Sequence, residues 1–130
     1  MAKEQFPSPL VPAQDFQFHV RHLAGDVLAD FTGWQFKLVG RNGLDASQEL
    51  FSYTESDAGV FTTGVFDLTD DKGNLLQYNL RVTIPHTDTD DLQHLDLQYA
   101  RIGLLATPPS GSPIQLIRSF RANIADVEAP

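Results

Sequence analysis

From residue 15 onward, apolar and polar side chains alternate with a period of two, the signature of strands that bury one face. Phe16, Phe18 and Val20 alternate with Gln17 and His19. Asp30-Phe31-Thr32-Gly33 then leads into a strand with Trp34, Phe36 and Leu38 on one face and Gln35, Lys37 and Val39 on the other. Arg41-Asn42-Gly43 should end it in a turn, because Asn-Gly readily supplies positive φ. A shorter strand is expected over 49–54, with the choice of Leu50 or Phe51 for the buried face left open. After Asp57-Ala58-Gly59, residues 60–68 place Phe61, Thr63 and Val65 in one phase and Phe66 and Leu68 in the other, which predicts a bulge near Gly64.

Asp70-Asp71-Lys72-Gly73-Asn74 reads as a turn, and the cleanest strand follows it. Leu76, Tyr78, Leu80, Val82 and Ile84 fall at even positions, with Gln77, Asn79, Arg81 and Thr83 between them, until Pro85 ends the run. One short helical turn is expected over 88–92, with Asp88 as its cap. Leu95, Leu97 and Tyr99 form the next strand, whose phase slips at Ala100-Arg101 and resumes at Ile102 and Leu104. Beyond the turn Pro108-Pro109-Ser110-Gly111, residues Ile114, Leu116, Phe120, Ala122 and Ile124 share a face, while Ile117 and Arg118 break the alternation.

About seven strands without a helical period predict an all-β protein, an antiparallel β-sandwich of immunoglobulin or jelly-roll type. A small closed barrel would show the same pattern. The sandwich is expected to be a single domain over residues 15–130. Residues 1–14 differ, since Pro7, Pro9 and Pro12 lie among Phe6, Leu10 and Val11 and favour an extended arm. Phe6, Leu10 and Val11 are the candidate partner-binding residues, docking on their own domain or on a neighbouring subunit.

Charge narrows the function further. With 17 acidic and 9 basic residues in 130, the chain carries a net −8, the wrong sign for binding nucleic acid through phosphates or for an anionic membrane. No run approaches the roughly 20 apolar residues of a membrane helix, and the start Met1-Ala2-Lys3-Glu4-Gln5 lacks the apolar core of an export signal, so a soluble chain is expected. The absence of cysteine removes disulfides, thiolate metal sites and a cysteine nucleophile.

Candidate chemistry is sparse. His19 and His22 stand three apart, on opposite faces of a strand, and His86 and His94 flank an acidic loop, so exposed or edge histidines are expected and no zinc site. Calcium is the better metal candidate, with Asp88, Asp90 and Asp91 in one loop and Asp67, Asp70, Asp71 and Asn74 in another. Neither loop follows the EF-hand pattern, and ordinary turn chemistry accounts for both, so no metal or other cofactor is assigned. No nucleophile elbow or phosphate-cradling glycine loop is present, and no catalytic residue is assigned. Arg101, Arg118 and Arg121 are expected to pair with local acids, and Trp34, in phase with Phe36 and Leu38, to lie in the core.

Four phrases carry a family resemblance: Asp30-Phe31-Thr32-Gly33-Trp34-Gln35-Phe36-Lys37-Leu38, Asp57-Ala58-Gly59-Val60-Phe61, Leu95-Asp96-Leu97-Gln98-Tyr99, and Ile117-Arg118-Ser119-Phe120-Arg121-Ala122-Asn123-Ile124. Over residues 28–126 the chain resembles the immunoglobulin-like N-terminal domain of baseplate upper proteins and related tail or fibre adaptors of tailed bacteriophages. It departs from them at 95–99, where a Tyr-x-Tyr-Asp-Leu strand is missing, and no receptor-binding or fibre domain is expected to follow. The resemblance implies a non-enzymatic structural component of a phage or prophage particle, in the tail, baseplate, collar or capsid surface. Such a protein would be made in the host bacterial cytoplasm and reside in the virion, binding other virion proteins and itself as a homo-oligomer. The alternatives are a carbohydrate- or receptor-binding module and a small acidic inhibitor of a host enzyme.

Overall fold

In the computed structural model, which describes residues 3–5, 14–69, 72–90, 99–111 and 113–123, hairpins are dealt alternately to two sheets. β1 (Lys3–Gln5) and β2 (Phe16–Arg21) enter the first sheet, and β5 (Gln35–Asn42) and β6 (Asp45–Thr54) the second. β7 (Phe61–Thr69) and β8 (Leu75–Ile84) return to the first, and β9 (Tyr99–Thr107) and β10 (Ile114–Asn123) to the second. The strand orders are β1-β2-β8-β7 and β10-β9-β5-β6, all antiparallel. No ladder joins these two sheets among the described residues, which makes the fold a sandwich and not a closed barrel.

The core lies between the sheets. Phe18, Val20, Leu80, Val82 and Ile84 from the first meet Leu38, Ile102 and Leu104 from the second. Each such side chain contributes about 1.5–3 kcal/mol by leaving water. Alternation in β8 and β9 follows directly from this burial, because successive residues point to opposite faces.

Breaks in the pattern have physical causes. The β7–β8 register shifts between Thr63 and Phe66, the bulge expected at Gly64. A shift between Gly40 and Arg41 lets β6 present Phe51 to the core while Leu50 also packs against it. Shifts on either side of Ile117 in β10 account for its broken alternation. The alternation of β9 is regular from Tyr99 onward, so the slip expected at Ala100-Arg101 is absent; residues 91–98 lie outside the described residues.

Several expectations change. The turn glycine Gly43 does not have positive φ; an added Cβ there would meet the Tyr99 ring at 2.0 Å, so close approach is what requires glycine. Gly40 is likewise pressed beneath Phe51, whose ring would lie 2.2 Å from an added Cβ. The helix α1 spans His86–Asp90 and starts earlier than expected, and its first N–H is taken by Asp15, not by Asp88. Trp34 is half-buried at the margin of the core, set edge-on to Phe31 with ring centroids 5.0 Å apart. A two-stranded hairpin, β3 (Leu23–Ala24) and β4 (Val27–Leu28), was not legible in the alternation.

That hairpin sits in the passage from β2 to β5, and Asn79 holds it. The Asn79 carbonyl accepts the His22 N–H at 2.9 Å, and its amide donates to the carbonyls of His22 and Ala29, each at 2.9 Å. Although it falls between core positions, Asn79 is therefore buried. Replacing it with alanine would strand buried backbone groups, at about 1–3 kcal/mol each when unpaired. Asn79→Ala is expected to lower stability by about 2–3 kcal/mol, read from the urea midpoint. Gly40→Ala is expected to cost about 1–3 kcal/mol by overpacking, and adding Phe51→Leu should recover part of that loss.

Candidate functional site

The arm is the only functional element that the sequence singles out, and its two ends are described. At its tip, β1 lies antiparallel to β2, with Lys3 opposite Arg21, Glu4 opposite Val20 and Gln5 opposite His19. At its root, the Gln14 carbonyl accepts the Thr89 hydroxyl at 2.7 Å, and the Asp15 carboxylate accepts the His86 N–H at 2.7 Å. The His86 ring Nδ1 lies 3.1 Å from the same oxygen. These contacts hold Asp15 below the usual carboxylate range, chiefly through the His86 backbone N–H. Phe6, Leu10 and Val11 lie outside the described residues.

The strand that receives the tip is backed by a compact cluster. His19 is buried, and its Nε2 accepts the Arg81 Nε–H at 3.0 Å. The Phe66 and Tyr78 rings stand 5.5 and 6.2 Å from the imidazole, and the Arg81 guanidinium lies 4.3 Å above Phe66. Tyr78 therefore packs against His19 and is not part of the inter-sheet cluster. Sequence reasoning placed His19 at an exposed edge and missed this group, because its pairing with Arg81 exists only through the β2–β8 register.

Because Nε2 accepts a hydrogen bond, His19 is neutral with its proton on Nδ1. Burial, and then the neighbouring Arg81 charge, hold it below the ordinary histidine range. His22 is also held down, chiefly by burial; its ring stacks on Phe31 at 6.1 Å and its buried Nδ1 has no hydrogen-bond partner among the described residues.

A cleft of about 320 Å³ lies between 28–31 and the β7 bulge, lined by Leu28, Phe31, Gly64, Val65, Asp30 and Asn79. Asn79 is committed to backbone and Asp30 to the N–H and hydroxyl of Thr32, which leaves Thr63 as the further polar side chain in a mostly apolar lining, too few for a converging set of donors. In the acidic loop, Asp88 accepts the Tyr53 hydroxyl, and burial followed by this carboxylate pushes the phenol pKa up. Among the described residues, no three metal-ligating side chains converge; Asp70, Asp71, Asp91 and His94 lie outside them.

Of the C-terminal arginines expected to pair with acids, Arg101 has no carboxylate within ion-pair distance among the described residues, and the Arg121 and Arg101 guanidiniums lie 4.1 and 5.8 Å from the Tyr99 ring centre. The Arg118 side chain is outside the description. No family model matches this chain, and no curated protein matches it in sequence.

Buried His19 and half-buried His22 set a pH dependence. As pH falls through about 6.5, the unfolded chain takes up protons on His19 and His22 that the folded chain resists, so stability is full above that pH and lost below it. The thermal midpoint is expected to fall between about pH 7.5 and about pH 5.5, with a shallower slope in His19→Gln. An equal slope in the two proteins would remove His19 from this account.

Proposed function

We propose that this chain is a non-catalytic structural protein of a phage or prophage particle that works by protein–protein contact, with its N-terminal arm as the assembly element. The observation that carries the assembly role is the arm's geometry. A short tip pairs with an edge through three residue pairs, while its root is tied to the body at Gln14 and Asp15. The virion setting rests on the sequence resemblance over residues 28–126.

The physics of exchange is simple. Backbone hydrogen bonds between β1 and the edge of β2 are the same whether the tip comes from its own copy or from a neighbour. Residues 6–13 join tip to root, and Pro7, Pro9 and Pro12 reduce the freedom lost when that stretch is ordered. Phe6, Leu10 and Val11 then supply apolar area to bury against the neighbour, at about 25 cal/mol per Å². Other virion proteins could be engaged by the same means, by strand addition at an edge.

The first test is mass by light scattering for the full chain and for a variant starting at Gln14. The expected result is a discrete oligomer that becomes a folded monomer on truncation. A cysteine-free chain allows a second test, since Lys3→Cys with Arg21→Cys places two thiols at paired positions. Oxidation should give covalent oligomers; a product that is wholly monomeric would sink exchange between copies.

A further inference from the structure

The charges of this protein are segregated by strand. β5, β9 and β10 are neighbours in the second sheet and contain Lys37, Arg41, Arg101, Arg118 and Arg121, five of the nine basic residues, and not one of the 17 acids. A molecule with net −8 thus carries one wholly cationic stretch of sheet.

Register gathers those charges into a row. Arg101 lies opposite Arg41 on one side and Arg121 on the other, so three guanidiniums cross three adjacent strands at one level. Ala100, Ile102 and Ala122 beside them face the core, so Arg101 and Arg121 point outward; alternation puts Arg41 and Lys37 on the same outer face. All four are exposed. Half-buried Val39 lies between the arginine row and Lys37, and half-buried Leu105 lies opposite Lys37, which adds apolar surface beside the charges.

Like charges directly opposite on a sheet destabilise it. Here the Tyr99 ring takes Arg121 and Arg101, and Arg41 donates to the Ala46 carbonyl at 3.3 Å, with Glu49 as its register partner in β6. No carboxylate among the described residues lies within ion-pair distance of Arg41 or Arg101. An arrangement that is repulsive alone becomes favourable once an anionic surface is laid over it.

We infer that this outer face of β5, β9 and β10 is a docking surface for a second copy of this chain, presented through its acidic remainder. Charge complementarity selects that occupant, because every acid of the chain lies outside the three strands and the opposite sign is available on any neighbouring copy. Basic face on acidic body is a heterologous contact, which propagates head to tail and closes into a ring or extends as a filament. The inference deepens the assembly role proposed above and rests on it for the identity of the partner. Its surface is distinct from the β2 edge used by the arm, which lies in the other sheet.

Sedimentation of the full chain across concentration tests it, at about 0.02 M and about 1 M salt. Arg101→Glu is expected to weaken self-association about tenfold or more at low salt, with the difference from the parent lost at high salt. Lys72→Glu, a charge reversal in the β7–β8 turn, should leave it unchanged. Equal effects of the two reversals, or none, would overturn the inference. So would binding of a single-stranded oligonucleotide that Arg101→Glu abolishes, since the face would then read nucleic acid. If removing the arm dissociates the oligomer and Arg101→Glu does not, the arm reading stands and this one falls. A full chain that stays monomeric at low salt overturns both.

Discussion

Asn79 stands where the chain leaves the first sheet, and its side-chain amide takes the place of the backbone partners that β8 no longer offers. A sandwich needs such a device, because each passage between sheets carries polar backbone past an apolar core. With His22 and Ala29 held to one amide, and the Ala29 N–H also donated to the His22 carbonyl, the β3–β4 excursion is closed at its base. Phe31 then enters the core, with ring centroids 5.3 Å from Phe36, and Phe36 stacks on Phe61 at 5.3 Å. This chain of contacts runs from the first sheet through the passage into the second and back to β7.

The two sheets are used differently. The first ends in a β1 of three residues, an edge completed by a segment whose root is tied to the body at Gln14 and Asp15. Behind that edge, His19 is locked neutral against Arg81, so acid conditions act on the strand that receives the arm. The second sheet instead offers a face, where cationic side chains stand in register over strands that hold no acid. An edge can recognise backbone and a face can recognise charge, so the assembly role proposed above would draw on two independent means of contact.

How far the sequence could be read depended on the kind of interaction involved. Alternation in β8 was legible at Leu80, Val82 and Ile84 because burial between two sheets imposes a period of two. The bulge at Gly64 was legible from the phase change it causes. Gly43 was read as a turn glycine for its φ, whereas the Tyr99 ring, 56 residues away in the chain, is what excludes a side chain there. His19 and Asn79 both occupy polar phases and both are buried, since local pattern records only which face a residue occupies, and not what is laid across that face.

The sequence by itself determined the class of the fold, the alternation of its main strands and the charge available, since these follow from periodicity, turn residues and composition, all of which are local or additive. Only the tertiary structure decided which strands became neighbours, and with them the arginine row, the clamp at Asn79 and the seat of the arm. Each depends on register between segments far apart in the chain: Arg41 meets Arg101, and His19 meets Arg81, only once the sheets have formed. Pairing of that kind is set by how two apolar faces pack together, and many registers satisfy the same alternation until the core selects one.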